Sequence, residues 1–334
     1  MRILIVTPLV PPEPGGPSYY SVALKEALER AGETVDLIAF KEVRKYPTGI
    51  RHLIFLYKVL FRALTVDALI VLDTVSVALP AVIVGWVLGK KTLIRTGGDF
   101  VWEAYVERTG EKVLFRDFYT TARALSYKER MLVWLHRHVI LPLASHITYN
   151  TELQRAVWRT AYGVSDNKTS VTENSYPVGT HRGKGGTVFV CAWRPTAFKN
   201  VDMLEQAVIR AQGTCGGVVV DYLRGVPREA VYARLQEARA LIVPSLTEFG
   251  PNLAMEALSM GVPVLLTREC GVHHRLDGFV TWFDPLDAED LAEKMCMFMD
   301  TTFYAREQEK VDGFSFVRSY DEVARDISTL LKTK

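Results

Sequence analysis

The sequence predicts an α/β protein made of two doubly wound parallel-sheet domains in tandem. Three observations carry this. The 334 residues suffice for two cores. Strand-length apolar runs alternate with helical periodicity from Arg2 onward. The alternation stops at Asn174 to Gly186, a stretch rich in Gly, Pro, Lys and His, and then restarts. The expected organisation is an N-terminal domain over residues 1–175, a C-terminal domain over 176–317, and a last helix over 318–334.

The first domain opens as strand, loop, helix, strand. Arg2 to Val6 is a short apolar strand, Pro8 to Pro17 a Pro/Gly loop, and Ser18 is placed to cap the next helix. Val22, Leu24, Ala27, Leu28 and Ala31 give that helix an apolar side, and Gly32 ends it before a strand at Val35 to Phe40. Such a βαβ unit implies a parallel sheet. Further strands are expected near Leu69 to Leu72, Thr92 to Arg95 and Ile147 to Tyr149, with a long helical region from about Glu111 to Pro142.

The second domain repeats the alternation. Strands are expected at Val188 to Ala192, Val218 to Tyr222, Leu241 to Pro244, Pro263 to Leu266 and Val280 to Phe283. Helices are expected at Val201 to Ala211, Pro227 to Ala238, Pro251 to Met260 and Asp287 to Met299, with an amphipathic helix from Tyr320 to Leu331 closing the chain. Two such domains place a ligand at the carboxyl ends of the strands.

Composition excludes several classes. With 49% hydrophobic and 23% charged residues, the chain is neither disordered nor collagen-like. The net charge of +2 hides an asymmetry: residues 1–180 hold 22 basic and 17 acidic side chains, the remainder 18 and 21. No nucleic-acid binder is implied. The four cysteines, Cys191, Cys215, Cys270 and Cys296, form no CxxC pair and predict reduced thiols in a cytoplasmic setting. No metal-ligand spacing appears among the seven histidines. Ile3 to Val6 is too short for a signal-peptide core, and Ala68 to Leu88, interrupted by Asp73, Thr74, Ser76 and Pro80, is expected to be a buried strand and helix rather than a membrane span.

Three constellations suggest chemistry. Gly15 and Gly16, between the first strand and first helix, allow close backbone approach to a ligand, although a plain loop also explains them. Arg194 and Lys199 lie just past the first strand of the second domain, where two cations suit a diphosphate; two solvated charges flanking a turn is the other reading. The most specific is Pro244 to Ala257, with Glu248 and Glu256 eight residues apart. If most of that span is helical, the rise is about 12 Å. The separation exceeds what two carboxyls acting on one glycosidic bond need, about 5 to 9.5 Å. It suits two hydroxyl-rich ends of one long ligand, while the Gly250 to Leu253 stretch opens a helix whose N–H groups can hold phosphate.

Taken together, Gly15-Gly16, Arg194-x4-Lys199-Asn200, Glu248-x7-Glu256 with Phe249-Gly250-Pro251-Asn252 inside it, and Gly261-Val262-Pro263-Val264 resemble the retaining glycosyltransferases of family four, the "glycosyl transferases group 1", over nearly the whole chain. The resemblance implies the GT-B fold, two Rossmann-like domains facing a cleft, with the final helix crossing back to the first domain. It also implies a hexosyltransferase that needs no metal or bound cofactor and uses a nucleotide-diphosphate sugar as co-substrate. Arg194 and Lys199 would hold the donor pyrophosphate and stabilise the leaving diphosphate. Glu256 would accept from the ribose hydroxyls, and Glu248 would sit by the donor sugar. Phe249 to Leu253 would contact sugar and phosphate through the backbone, and Gly15 and Gly16 would admit the donor.

This sequence departs from the family pattern at three places. Many members carry a histidine after the fourth strand; here Asp99 is the candidate, either orienting a donor hydroxyl, handling the acceptor's proton, or serving as a turn or helix-cap residue. A Gly-Gly-x-x-Glu element is replaced by Cys270-Gly271-Val272-His273-His274-Arg275. Only Gln212 to Arg224 stands where an extra βα unit is usual, so the second domain is expected to be short.

Residues 41–62 hold Lys41, Arg44, Lys45, Arg51, Lys58 and Arg62 against a single Glu42, interleaved with Leu53, Ile54, Phe55, Leu56, Tyr57, Leu60 and Phe61, and Arg116, Arg123, Lys128, Arg130 and Arg137 add charge to the long helical region. Such a surface suits either an anionic membrane or a plain solvated helix face. In the first case the chain is peripheral at the inner membrane face and its acceptor is a lipid-linked or surface glycan. A non-catalytic nucleotide-sugar-binding or regulatory relative is the alternative reading, and a dinucleotide oxidoreductase lacks its three-glycine turn.

Overall fold

The computed structural model describes residues 1–13, 16–47, 49–176 and 183–333. In chain order it runs through β1 (Arg2–Thr7), α1 (Gly16–Arg30), β2 (Thr34–Ala39), α2 (Ile50–Ala63), β3 (Ala68–Val71), α3 (Ala78–Val87), β4 (Lys91–Thr96), α4 (Phe100–Thr109) and α5 (Phe115–Phe118). There follow α6 (Tyr127–Leu135), α7 (Leu141–Leu143), β5 (His146–Tyr149), α8 (Glu152–Tyr162), β6 (Thr169–Val171), β7 (Val188–Trp193), α9 (Val201–Thr214), β8 (Val220–Arg224) and α10 (Arg228–Gln236). The chain ends with β9 (Ala238–Val243), α11 (Asn252–Ser259), β10 (Val264–Thr267), α12 (His273–Leu276), β11 (Thr281–Phe283), α13 (Ala288–Met299), α14 (Thr301–Asp312) and α15 (Tyr320–Lys332). Two compact units result. The first comprises Met1–Val101, Ala122–Ser175 and Arg318–Lys334; the second comprises Trp102–Thr121 and Tyr176–Val317.

In the first unit a six-stranded sheet has the order β2-β1-β3-β4-β5-β6, parallel throughout. Its strands do not alternate in burial: every residue of β3 is buried, as are Ile3 to Thr7 of β1. That is the signature of a sheet covered by helices on both faces. The run from Ala68 to Leu88 is β3 followed by α3, and Pro80 falls in the first turn of α3, where its missing N–H breaks no intrahelical bond. No helix among the described residues is long and apolar enough to cross a membrane. The last helix, α15, packs on α1. Its Val323, Ile327 and Leu331, one turn apart, are buried with Leu24 and Leu28, and Arg30 pairs with Asp321 at 2.7 Å.

Two local expectations need correction. Ser18 does not cap α1: the helix begins at Gly16, which puts Ser18 inside the first turn with its backbone carbonyl accepting from the Ser21 hydroxyl. The region from Glu111 to Pro142 is not one helix. It is broken into α5, α6, a π-helical stretch at His136–Ile140 and α7, because Ser126 and Glu129 form a capping box that starts a new helix.

The second unit has a five-stranded parallel sheet in the order β11-β10-β9-β7-β8, one strand fewer than the first. Helices cover both faces. Leu241, Leu258 and Leu266 belong to one core, and Phe189, Leu204, Leu265 and Phe298 to the other. The chain passes from α9 to β8 through Cys215 to Val219 alone. Cys215 and Cys296 are joined in a disulfide, with their Cα atoms 5.7 Å apart. This corrects the expectation of four reduced thiols: α9 and α13 pack side by side, which brings together two cysteines 81 residues apart. Cys191 and Cys270 are free and buried. Part of the expected linker, residues 177–182, lies outside the described residues.

Candidate functional site

Most of the sequence-predicted residues converge in the second unit, on loops that follow β7 and β9. The loop after β7 makes a 3-10 turn at Ala197–Lys199 and then places Asn200 in the left-handed region at φ 56°, a conformation asparagine tolerates better than most residues. The buried Asn200 amide donates to the carbonyls of Pro244, at 3.1 Å, and Pro285, at 2.7 Å. Leu246 N–H donates to the Phe198 carbonyl at 2.9 Å. These bonds fix the Arg194 to Lys199 loop against the segment that carries Glu248.

Glu248 is held from both sides. Its N–H donates to the Glu269 carbonyl and its carbonyl accepts from Gly271 N–H, each at 2.8 Å, so the backbone pairs with Cys270 beyond the strand ends. The Cys270-Gly271 departure thus contributes main-chain contacts to Glu248. The Glu248 side chain is 11% exposed, and its Oε1 accepts from Lys199 Nζ and from Ser245 Oγ, both at 2.5 Å. Arg194 is exposed and makes no ion pair among the described residues.

Glu256, on α11, is buried and bonded to Arg228 of α10. Burial raises its carboxyl above the ordinary value of 4.5, against the lowering effects of the Arg228 charge and the Tyr232 hydroxyl. Sequence reasoning missed Arg228 and Tyr232. Their spacing on α10 is ordinary helix periodicity, and nothing local ties them to a helix some 20 residues on. Between the two glutamates, Phe249 is buried, Asn252 is exposed, and α11 opens after Pro251 without a side-chain cap. The amides of its first turn are the kind of group that accommodates an anion.

A segment from far upstream belongs to this unit and lies on the same loops. Trp102 and Phe115 pack on Phe249, with ring centroids 5.8 and 4.7 Å away, and Trp102 also meets Phe198 at 5.4 Å. Phe115 N–H donates to Thr247 Oγ1 at 3.1 Å, and Glu107 accepts from Ala197 N–H at 2.6 Å. Ion pairs join Lys112 to Asp202, at 2.7 Å, and Arg116 to Glu269, at 2.9 Å.

The remaining predicted residues belong to the first unit. Gly16 opens α1, and a Cβ there would meet nothing within 4 Å, so protein packing alone does not demand a glycine. Gly15 lies outside the described residues. Asp99 is 1% exposed and accepts from Trp158 Nε1 at 2.7 Å. Around it, Gln154 donates to the Gly98 carbonyl at 2.7 Å, and Thr96 donates to the same carbonyl at 3.0 Å. His136 stacks edgewise on Trp158; burial pushes its imidazole below the usual value, opposed by the Asp99 charge.

The model for "Glycosyl transferases group 1" matches residues 203–311, which hold Glu248 and Glu256 but not Arg194 or Lys199. No curated protein sequence matches the chain. Among solved structures, the sucrose-phosphate synthase of Thermosynechococcus elongatus is similar over 98% of both chains, at 15% identity and a TM-score of 0.68. Anabaena HepE in complex with UDP and glucose is similar over 99% of both, at 13% identity and a TM-score of 0.69. An α,α-trehalose-phosphate synthase (UDP-forming) from Burkholderia xenovorans, in complex with glucose-6-phosphate, is similar over 99% of this chain and 100% of its own, at 11% identity and a TM-score of 0.68. At these identities the likeness establishes the fold: this chain has the GT-B fold of those glycosyltransferases.

Proposed function

We propose that this chain, which carries the group 1 glycosyltransferase match in its second unit, moves a hexosyl group from a nucleotide-diphosphate sugar to a hydroxyl of a lipid-linked or surface glycan. The observation that carries the proposal is the Lys199–Glu248 contact beside the uncapped start of α11. A cation, a carboxylate and the opening turn of a helix stand together there, which are the groups needed to hold a diphosphate and a sugar at once.

In this reading the bond between the anomeric carbon and the diphosphate oxygen breaks, and a bond to the acceptor oxygen forms. Lys199, with Arg194, neutralises the charge that grows on the leaving diphosphate, so no metal is required. Glu248 orients donor-sugar hydroxyls and, once Lys199 turns to phosphate, faces the developing positive charge on the ring. Glu256 accepts from the ribose, taking those hydroxyls in place of Arg228. Asp99 orients a donor hydroxyl or takes the acceptor's proton. Family four and a retaining outcome are part of the proposal, as is a cytoplasmic protein acting at the inner membrane face. HepE and the trehalose-phosphate synthase, whose structures hold UDP with glucose and glucose-6-phosphate, support a sugar-nucleotide donor and a sugar-type acceptor.

A second reading, a nucleotide-sugar-binding relative without turnover, is favoured by the short passage between α9 and β8. Thermal unfolding with UDP, GDP, ADP and dTDP in the presence of EDTA separates the two from an empty site, because a ligand of the native state raises the midpoint. A selective rise with one nucleotide supports a donor site, and release of that nucleotide from its sugar conjugate in the presence of an acceptor supports catalysis. No rise with any nucleotide sinks both.

A further inference from the structure

In the first unit, β4 ends on a buried cation. Leu93 of this strand belongs to the apolar core shared with Leu24 of α1 and Val323 of α15. Two residues on, the same face carries Arg95, only 7% exposed at the carboxyl end of the strand. Its guanidinium lies over the Tyr20 ring, 4.0 Å from the centroid, and donates to the Asn174 side chain. Among the described residues no carboxylate pairs with it, and its Nε is buried without a hydrogen-bond partner. A buried charge left unpaired is costly, and folded chains ordinarily supply it with a partner.

The neighbouring strand ends are polar. Thr148 of β5 stands opposite Arg95 and donates to Thr172, just past β6, at 2.8 Å. Asn150, just past β5, is buried, and its Oδ1 has no partner among the described residues. Gly97 leaves these groups unobstructed: a Cβ there would lie 3.0 Å from Asn150 Nδ2 and 3.4 Å from Arg95 Nη1. Burial pushes the Tyr20 phenol up to about 12, opposed by Arg95 and by Arg318, a second cation nearby that pairs with Asp326. The carboxyl ends of parallel strands are where α/β sheets take ligands.

We propose that Arg95 and Asn150 form a binding site, within the first unit, for a small hydroxylated oxyanion: a phosphoryl or carboxylate group on a sugar-like body. Stacking on Tyr20 leaves the planar edge of the guanidinium for two parallel N–H···O bonds, a geometry that phosphate and carboxylate share. Asn150 Oδ1 accepts from a hydroxyl of the same ligand. The ligand supplies the countercharge that the fold does not give Arg95. A purely structural arginine directs its five donors at carbonyls or an acid, whereas this one makes a single side-chain bond among the described residues. If the glycosyl-transfer reading holds, this ligand is the acceptor, and that assignment alone rests on that reading; the site does not.

Calorimetry of the full chain with glycerol 3-phosphate, glucose 6-phosphate and glucuronate, beside neutral glucose and inorganic phosphate, tests this without any sugar donor. At least one of the three hydroxylated oxyanions should bind about tenfold tighter than either control, and which one does so separates a phosphoryl from a carboxylate ligand. Arg95→Lys keeps the charge but not the planar fork, and should lose about tenfold in affinity. Asn150→Asp sets an acid beside Arg95, so it should abolish oxyanion binding while the ligand-free chain melts no lower than the wild type. Where that variant fails to fold, Arg95→Lys decides. Binding of none of the three oxyanions, or full affinity in either folded variant, overturns the proposal. So does loss of the oxyanion in Lys199→Ala, which would place it in the second unit. A chain that answers to no nucleotide but takes an oxyanion through Arg95 keeps this site and loses the donor reading, and the reverse result does the opposite.

Discussion

Lys199 Nζ and Glu248 Oε1 meet at 2.5 Å although 49 residues separate them, and Ser245 Oγ donates to the same oxygen. The pair holds two functional groups in register, each partly neutralising the other until a ligand intervenes. Lys199→Ala leaves a mostly buried carboxylate with one hydroxyl donor. If Lys199 meets the leaving diphosphate, turnover should fall by about a hundredfold, the scale of removing one transition-state donor. Stability should drop modestly, because the lysine side chain is still 19% exposed. Steady-state kinetics beside a melting curve checks this, and full activity in the variant removes the diphosphate clamp.

Glu256 makes a prediction about pH. Its folded carboxyl titrates above the ordinary 4.5 because burial outweighs Arg228. Between 4.5 and the raised value the native state therefore binds the extra proton, so this residue's contribution to stability falls as pH rises through that window. Glu269, raised by burial in the same direction, adds to the trend. Glu256→Gln should flatten the acid-side slope of melting temperature against pH, and should weaken nucleotide-sugar binding at pH 7. An unchanged slope contradicts the burial argument, while unchanged binding removes Glu256 from the ribose site.

Asp99 is buried and accepts from the Trp158 indole, and its alternatives divide cleanly by experiment. Replacing it with alanine strips a charged acceptor from a buried N–H, a loss of about 1–3 kcal/mol. If its role is structural, the urea midpoint falls while the activity per folded molecule is kept. If it also serves the reaction, kcat falls in Asp99→Asn, which preserves the shape and can still accept from Trp158.

The cysteine pairing is checked by counting thiols. Unfolding without reductant should expose only Cys191 and Cys270, and reduction should add Cys215 and Cys296. Cys215→Ser should cost about 2–4 kcal/mol relative to the oxidised chain. Reductant should lower the wild-type melting temperature to that of the variant. Four reactive thiols from the start return the protein to the reduced state its cysteine spacing suggests.

These features differ in how far they were legible in the sequence. The strands were: β1, β3 and β4 are buried on both faces, so their residue types announce them without any partner. Arg194, Lys199 and Glu248 were legible because each lies just past a strand end, where a parallel sheet exposes loops. Their mutual contact was less so, since it depends on the left-handed Asn200 and its bonds to Pro244 and Pro285. The Cys215–Cys296 bond follows from α9 lying beside α13, which no local pattern encodes. Arg228 on Glu256 was invisible for the same reason.

The least legible feature is the upstream segment on the motif loops, and it yields the last prediction. Phe115 and Trp102 read as ordinary core aromatics, yet their rings flank Phe249, which lies between Glu248 and the start of α11. Phe249 cannot shift without disturbing both neighbours, so the segment should fix the backbone proposed to meet sugar and phosphate. Phe115→Ala removes a fully buried ring, which costs about 3–5 kcal/mol. If the segment also positions the site, nucleotide-sugar affinity of the folded variant should fall several-fold, measured by calorimetry below its melting range. Thr247→Val offers a milder test: it deletes the acceptor of Phe115 N–H while keeping the side-chain volume. A stability loss in both variants with donor affinity intact would reduce the segment to packing alone. A parallel loss of affinity makes residues 102–121 part of the donor site's construction, supplied from a stretch of chain about 80 residues before the first motif it supports.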